Sequence, residues 1–459
     1  GFTPPGVRLK RMVETKSSRG ARITWPLYLL FFLVAGVVGA IISWGFLTES
    51  LAVLGIPDPG PITTAGLPLL RAGAWLLAAL SVGSFLFASF LLSPRQGDIR
   101  QAYLTVDGLI ASRTGAVAAL VFTLIGIIMV PLVLSDVSGQ PITEAIQPAN
   151  WLVALNQVAD AQAWLISAII ALVVGGAALI APRTWMWQPV WLVGAILIVA
   201  PQGLSGHSAA GGDHDYGTNS LLWHVLFMML WVGGLMALIA HGRRLGPSLQ
   251  LAVRRYSTIA AVAMVAMAIS GVINAAIRVR FEDLFTSDYG RVIVAKTVLT
   301  FALAIFGWWH RTATIPRLTS GNSSPFIRIA VVEVLIMVAT IGVAVSLGRT
   351  PPPPPRVVDL SPMALTMGYD LTFEPTVWSV WTIWRFDIMF TTLGIFLTVG
   401  YLYGLHRLKQ LGKAWPWQRT FWWLLGSVTL ALAMSSGIGL YMPAMFSMHM
   451  VAHMMLSMV

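Results

Sequence analysis

The chain has 459 residues, of which 57% are hydrophobic and only 10% are charged, a balance that excludes an ordinary soluble globular protein. It contains no cysteine, which excludes disulfides and thiolate metal sites. The formal net charge of +11 would suit a nucleic-acid-binding protein, but the basic residues lie between apolar segments in a topological pattern, so we predict no nucleic-acid partner.

Apolar segments long enough to cross a bilayer recur along the whole chain. A helix of about 20 residues crosses a hydrocarbon core about 30 Å thick, and within lipid a helix pairs all its own backbone groups. We therefore predict an all-α polytopic transmembrane bundle of about twelve helices in the plasma membrane. The predicted spans are 25–47, 67–92, 114–134, 163–181, 187–204, 219–240, 256–277, 292–309, 326–347, 382–404, 419–441 and 446–459.

Charge fixes the predicted orientation of these spans. With the N-terminus in the cytoplasm, most of the 29 Lys and Arg residues fall on the cytoplasmic side and most of the 18 carboxylates fall outside. Cytoplasmic loops of membrane proteins are enriched in positive charge. The first span lacks the cleavage pattern of a signal peptide, so we predict that it is retained.

Five consecutive prolines, Pro351 to Pro355, divide the chain. Such a run forms a stiff, extended spacer. We predict four parts: a basic cytoplasmic segment (1–24), a membrane domain (25–348, in which helix 25–47 is additional to a core at about 65–348), a polyproline linker (349–356) and the beginning of a second membrane domain (357–459). Because the chain starts at Gly1 and stops at Val459 within an apolar segment, we expect both ends to be trimmed and the second domain to be truncated.

Histidine and methionine gather at the outer start of the last predicted helix. His449 and His453 are four residues apart, so their rings lie on one helix face. Met445 lies one turn earlier on that face, and Met442 and Met448 lie close by in sequence. Imidazole and thioether donors without thiolate favour copper. We predict a copper site here; packing and hydrogen bonding between helices is the alternative.

A second group of donors lies in and after the glycine-rich loop 201–219, on the predicted outer face. His207 and His224 flank the loop near two helix ends, where they can converge, and Asp213 and His214 lie between them. Mixed imidazole and carboxylate donors suit a divalent ion such as Cu(II). For His214 the alternative is a solvated loop residue, and the pair His207 and His224 also suits a haem b held between consecutive helices.

Several polar residues lie inside or at the edge of predicted spans. Glu333 is the carboxylate deepest within a span, where it relays protons or cations or neutralises Arg328. Lys296 extends towards the outer surface or pairs with Asp288. Asn274 provides a helix contact with a hydrogen bond.

The remaining polar predictions concern the two surfaces of the membrane. Arg291 belongs to a polar cap in the outer loop 278–291, and Asp387 with Arg385 forms a polar anchor for the second domain. Three further histidines are predicted to cap helix C-termini or to contact lipid headgroups at the cytoplasmic ends, namely His241, His310 and His406.

Two stretches resemble known families. The run from His224 to Trp231-Val-Gly233-Gly234 resembles the helix of the CopD copper-resistance family that carries histidine followed by Trp-x-Gly-Gly. Further matches to that family follow in order over about residues 65–350: Arg254-Arg255-Tyr256-Ser257, Ser270-Gly271, Tyr289-Gly290-Arg291 with Lys296, and Glu333.

Past the prolines, the run from Ser436 to Met454, which contains His449 and His453, resembles the CtaG family of caa3-type cytochrome oxidase assembly proteins. About three of the seven helices of such a domain are present. The fusion of the two domains is similar to bifunctional proteins of actinobacteria.

The resemblance implies copper movement by the first domain and copper delivery to cytochrome c oxidase by the second. It implies oxidase subunits as partners, and it points to a CopC-like periplasmic copper protein beside the first domain. The rival hypothesis is a haem b-binding or structural assembly protein. The chain has no nucleophile–base pair and no hydride-carrier motif, so we predict no enzyme activity.

Overall fold

The computed structural model describes residues 24–94, 102–205, 212–242, 245, 248–316, 318, 324–350, 353 and 359–458. Within these residues the regular structure is helical, and the only β pairing is two isolated bridges. The predicted all-α polytopic fold is confirmed.

The described residues up to 205 fold into nine α-helices, several of which have a proline in their first turn that supplies a preset helical φ. They are α1 (Trp25–Gly45), α2 (Leu47–Leu54), α3 (Pro61–Leu86), α4 (Val106–Ser138), α5 (Ile142–Ala145), α6 (Pro148–Gln157), α7 (Ala159–Ile180), α8 (Gln188–Leu197) and α9 (Ala200–Leu204). A π-helical turn, Phe87–Leu91, extends α3. The Thr105 hydroxyl caps α4 by accepting from the Gly108 amide at 3.1 Å.

The described residues from 212 onward form eleven more α-helices. They are α10 (His214–His241), α11 (Ser248–Arg278), α12 (Asp283–Thr286), α13 (Asp288–Trp309), α14 (Ser324–Ser346), α15 (Pro362–Met367), α16 (Ser379–Thr382), α17 (Phe390–Gln410), α18 (Trp417–Ser435), α19 (Gly437–Tyr441) and α20 (Phe446–Met458). A second π-helical turn, His310–Thr314, extends α13. Side-chain caps start α13 at Ser287 and α15 at Ser361.

Nine helices in the described part of the chain are long and apolar enough to cross a membrane, all of them before the prolines. They match the first nine predicted spans, including the closely spaced pair Ala159–Ile180 and Trp185–Leu204. The last three predicted spans stay predictions. Helices α17 and α18 have 21 and 19 residues but are less apolar, and α20 has 13 residues.

Helix α3 lies at the centre of the N-terminal region, which we define as the described residues from 24 to 350. It packs against α1, α4, α8 and α10, and 83% of its most apolar window is buried. Large side chains from four helices are fully buried in the same core, among them Phe85, Phe122, Trp164 and Met229.

Glycine permits the close crossing of α3 and α10. A Cβ atom added to Gly83 would lie 1.9 Å from the Gly233 carbonyl oxygen, and one added to Gly233 would lie 1.9 Å from the Ala79 carbonyl oxygen. Only a residue without a side chain lets two backbones approach this closely, as is common between transmembrane helices. This contact explains the first glycine of the Trp-x-Gly-Gly run.

Contacts between loops agree with the predicted alternation of spans. Tyr103 and Thr184 form an isolated antiparallel bridge, and the Trp185 indole N–H donates to the Ser89 carbonyl at 2.7 Å. All four residues are predicted on the cytoplasmic side. At the other end Arg349, the first residue of the predicted linker, forms an ion pair with Asp136 of α4.

The C-terminal region, defined as residues 359–458, has a much smaller core. The buried apolar side chains that form its core cluster are Val380, Ile438 and Ala452. The predicted ligands Met442 and Met448 pack against this core. These two methionines therefore have the packing role that was the alternative to metal binding.

Candidate functional site

Five polar side chains from three helices meet in what we call the outer cluster: Ser220 and His224 of α10, Ser270 and Asn274 of α11, and Lys296 of α13. His224 Nδ1 lies 2.9 Å from Ser270 Oγ, and His224 Nε2 lies 3.4 Å from Lys296 Nζ. The Asn274 amide nitrogen donates to Ser220 Oγ at 2.7 Å. Both nitrogens of an intramembrane imidazole thus have polar partners.

Helical spacing brings these residues together. Ser220 and His224 are four residues apart on α10, and Ser270 and Asn274 are four residues apart on α11, so each pair lies on one helix face. The small residue Gly271 lies against the ring, since a Cβ atom there would be 3.9 Å from His224 Cε1. Two adjacent stripes therefore enclose the imidazole.

The hydrogen bonds assign the tautomer of His224. Ser270 Oγ donates its hydrogen to the Met267 carbonyl at 3.1 Å, so it accepts from His224 Nδ1–H. Nε2 then carries the lone pair and faces the Lys296 ammonium. Metal-binding histidines commonly have this arrangement: one ring nitrogen donates a hydrogen bond to a neighbouring group, which leaves the other nitrogen free to bind the metal.

A second group of polar side chains, which we call the inner cluster, consists of Tyr256 of α11, His310 at the start of the π-helical turn and Glu333 of α14. His310 Nε2 lies 3.2 Å from Glu333 Oε2, and both side chains are less than 9% exposed. The Tyr256 hydroxyl donates to the Trp231 carbonyl at 2.7 Å. A Cβ atom on Gly234 would lie 2.6 Å from the Tyr256 ring, which explains the second glycine of the Trp-x-Gly-Gly run.

The two clusters lie at two levels of the same bundle. On α11 the inner and outer residues, Tyr256 and Ser270, are fourteen positions apart, and on α13 the corresponding residues Lys296 and His310 are also fourteen apart. At about 1.5 Å per residue this spacing corresponds to roughly 21 Å along each helix. The helices α11 and α13 thus place polar groups at two levels of the bundle.

A third group joins the two regions at the predicted outer surface, and we call it the interregion clamp. Arg385 forms ion pairs with Asp215 and, at 3.3 Å, with Asp213. Its guanidinium lies between two aromatic rings, 3.9 Å from the Tyr216 centroid and 4.5 Å from the Tyr369 centroid. A Cβ atom on Gly368, which has a φ of +89°, would lie 2.5 Å from Asp215 Oδ1.

Burial and charge oppose each other in the clamp. Burial lowers the pKa of Arg385, but the hydrogen bond from Asp215 and its charge outweigh burial, so the net pKa is raised. Burial also raises the pKa of Tyr369 to about 12 and raises the pKa of Asp387 above its usual value. Asp387 Oδ1 accepts from the Phe390 amide at 2.5 Å, so it caps the start of α17.

The C-terminal histidines are placed differently. His449 and His453 lie on α20 with exposed side chains, and Met445 just before the helix is half-buried. The His449 amide donates to the Met445 carbonyl at 2.9 Å, which keeps the three residues on one continuous turn and helix face. In the described part of the chain no three side chains of His, Asp or Glu come close enough together to hold a metal ion.

The structure separates the residues predicted around the outer loop. His207 lies outside the described residues. Asp213 belongs to the interregion clamp, and His214 starts α10, ten residues or about 15 Å along the helix from His224. His214 and His224 therefore do not share one ion.

Two pairings that the sequence suggested as alternatives are wrong. The partner of Glu333 is His310 rather than Arg328, whose side chain is exposed. Lys296 faces His224, and Asp288 instead pairs with Arg291 at 3.0 Å, since those two are three residues apart on one helix face.

The predicted roles of two cytoplasmic-end histidines also change. His310 is 7% exposed and His241 is 3% exposed, so neither lies among lipid headgroups. The His241 ring instead lies 5.3 Å from the Phe87 ring. Only His406 is exposed as predicted, with its Nε2 3.0 Å from the Gln410 amide nitrogen. Ser220 was missed altogether, and the signal that could have found it is its four-residue spacing from His224.

The fold and these clusters define a polytopic plasma-membrane protein with polar side chains paired inside its bundle. Residues 62–216 match the family "Copper resistance protein D-like, N-terminal domain", and residues 250–347 match "Copper resistance protein D". Residues 399–459 match "Cytochrome c oxidase caa3 assembly factor (Caa3_CtaG)". The chain thus joins a CopD-type region to part of a CtaG-type region, and both resemblances are confirmed.

Several curated proteins align with much of this chain. An uncharacterized protein of Mycobacterium tuberculosis is 26% identical over 92% of this chain, and one of Mycobacterium leprae is 27% identical over 93%. The chain spans 62% of the length of each of these relatives. The copper transport protein CutJ of Bacillus subtilis is 26% identical over 53% of this chain and 46% of its own length. No solved structure matches the chain.

Proposed function

We propose that the protein binds copper from the extracytoplasmic side and transfers it within the membrane, with His224 as the central ligand. The observation that carries this proposal is the oriented imidazole of the outer cluster, with Nδ1 bonded to Ser270 and the Nε2 lone pair directed at Lys296. The matches to copper-related families and to a copper transport protein support the choice of ion.

Lys296 gives the outer cluster a means of exchange. In the structure its ammonium contacts the nitrogen that a copper ion would use. Copper binding at Nε2 therefore requires Lys296 to withdraw, and Lys296 returns when the ion leaves. Because the Lys296 ammonium competes with copper for His224 Nε2, the site favours the transfer of copper over its tight storage.

For the C-terminal region we propose delivery of copper to cytochrome c oxidase. His449 and His453 are exposed on one face of α20, with Met445 one turn earlier, and imidazole with thioether is a donor set for copper. The match of residues 399–459 to the caa3 assembly factor family supports this role. Oxidase subunits are the proposed acceptor, and a CopC-like periplasmic protein is the proposed donor at the outer face.

Metal analysis of the purified protein after copper loading tests both proposals. His224→Ala is expected to remove copper from the N-terminal region, because no other residue supplies that nitrogen. Ser270→Ala is expected to weaken binding by about 10- to 100-fold while leaving the ligand in place. His406→Ala is the matched control, since this exposed histidine belongs to neither site.

The second arm compares His449→Ala/His453→Ala with the wild type, and His207→Ala is tested alone. If the copper content stays unchanged in all of these variants and also in His224→Ala, the ligand assignment is wrong. An absorption spectrum distinguishes the rival function. A reducible Soret band in the wild type that His224→Ala removes would establish haem b in place of copper.

A further inference from the structure

The pair formed by His310 and Glu333 is the most enclosed ionisable contact between the helices of the bundle. Their residues are 7% and 4% exposed, and Nε2 lies 3.2 Å from Oε2. The edge of the Phe326 ring closes one side, 5.4 Å from the His310 ring. The pair lies within the part of the chain that matches the copper resistance protein D family, yet it takes no part in the outer cluster.

Charge balance determines how many protons such a pair holds. With one proton in total on the two side chains, the pair is either imidazolium with carboxylate or imidazole with carboxylic acid, and its net charge is zero. With no proton it is a buried anion, and with two it is a buried cation. An uncompensated charge in apolar surroundings is strongly disfavoured, so one proton is the favoured occupancy.

The groups around the pair leave this balance intact. The titratable and charged residues on the inner halves of the helices packed against α13 and α14, and on those two helices, are Tyr28, His241, Arg254, Arg255, Tyr256, Arg311 and Arg328. Arg254, Arg311 and Arg328 are exposed, and Arg255 donates to the Phe90 carbonyl at 3.0 Å. Tyr256 lies close enough to Glu333 for an electrostatic interaction between the two side chains, and its phenol is neutral.

His310 lies close to the end of its span, where the backbone leaves the α-helical pattern. His310 begins a π-helical turn, and the Ile315 amide donates to its carbonyl at 3.0 Å. Such turns inside helices often mark functional sites. Arg311, the next residue, is exposed at the end of the span. The buried imidazole is thus one residue from the surface of the bundle.

We propose that His310 and Glu333 form a proton-binding site that holds a single exchangeable proton, taken from and returned to the water at the end of the bundle where α13 finishes. On release, the proton leaves the pair, which becomes a carboxylate beside a neutral imidazole. On uptake the reverse occurs, with no other bond made or broken. The proposal stands whether or not His224 binds copper.

Infrared difference spectroscopy between acidic and alkaline pH, on the full chain in lipid nanodiscs, tests the site. Carbon-13 in glutamate and nitrogen-15 in histidine identify the bands. The wild type is expected to show a glutamate band and a histidine band that change together in one titration and shift in heavy water. Glu333→Gln is expected to abolish that titration. His310→Gln is expected to remove the histidine band and to change the glutamate titration, because the two side chains hold the proton jointly.

Two exposed residues provide matched controls. Glu144→Gln and His406→Gln remove the same chemical groups from the surface and are expected to leave the paired bands unchanged. A wild-type spectrum in which no glutamate and histidine bands titrate together would overturn the proposal, and so would bands insensitive to heavy water. Because the labelled wild type alone can give these results, the test holds even if a variant fails to fold. A glutamate band that titrates unchanged in folded His310→Gln would also overturn it.

Discussion

The N-terminal and C-terminal regions place their ionisable side chains in different surroundings. In the N-terminal region His224 and Glu333 contact partners from neighbouring helices, and the core between those helices is large. In the described part of the C-terminal region His449 and His453 are exposed, and the buried core cluster is small, with three members. Orientation of a ligand by its neighbours is therefore a property of the first region, whereas the second presents its donors on a helix face.

The largest expected effect tests the packing side of this contrast. Gly83→Leu should destabilise the N-terminal region by more than about 3 kcal/mol, because the new side chain overlaps the backbone of Gly233. The midpoint of thermal unfolding, followed by tryptophan fluorescence in detergent, measures the change. Gly176→Ala is the control, since a Cβ atom there meets nothing within 4 Å. A Gly83→Leu protein with the wild-type midpoint would refute the close crossing.

An intermediate effect is expected where the two regions meet. Arg385→Leu should cost about 2 kcal/mol, because it leaves Asp215 without its partner in a half-buried position. Thermal unfolding should then separate into two transitions, with the C-terminal region unfolding first. Arg385→Lys keeps the charge but loses the flat contact with two rings, so its effect should be smaller.

Arg280→Leu is the control for that experiment, since it also removes an arginine that pairs with an aspartate. Its side chain is exposed, so little change is expected. A single unchanged transition in Arg385→Leu would show that the clamp does not hold the regions together.

The smallest effect concerns pH. The pKa of Tyr369 is raised from 10.0 to about 12, because burial disfavours the phenolate. The folded protein therefore keeps a proton that the unfolded chain loses, so this stabilisation is complete below pH 10 and is lost as pH rises to about 12. Solvent screening limits it to less than about 2 kcal/mol.

Tyr369→Phe retains the ring beside Arg385 but cannot ionise, and it also loses the 2.9 Å hydrogen bond to the Leu440 carbonyl. Compared with the wild type, the variant should be less stable at neutral pH and should lose less stability between pH 10 and 12. An identical alkaline profile for the two proteins would exclude Tyr369 as the titrating group.

The spans and the buried ionisable residues could be predicted from sequence, but their partners could not. Apolar length identifies a helix that crosses a membrane, and Glu333 is conspicuous within one. Alternation of spans also places His310 and Glu333 on adjacent helices at similar depth. Which faces of those helices meet depends on side-chain packing along their full length, so the sequence suggests only a nearby arginine, Arg328, as a partner for Glu333.

Lys296 illustrates the same limit. Its nearest carboxylate in sequence, Asp288, pairs with Arg291 on the same helix face, while His224 is 72 residues away. The interregion clamp is even harder to predict from local sequence, because Arg385 and Asp215 are 170 residues apart. Contacts of this kind are decided by how helices pack together, and sequence spacing does not reveal them.

The long separation within the clamp has a consequence for biogenesis. Helix α10 is synthesised before Arg385. When this helix enters the membrane, Asp215 therefore has no arginine partner at the outer surface. Contacts between distant residues form late, since the intervening chain must be complete before they can close. The Asp213 amide donates to the Gly368 carbonyl at 2.9 Å, so this hydrogen bond also forms only after the later residue has been synthesised. Docking of the C-terminal region is therefore a late step of synthesis, and it completes a surface that α10 exposes from the time of its insertion.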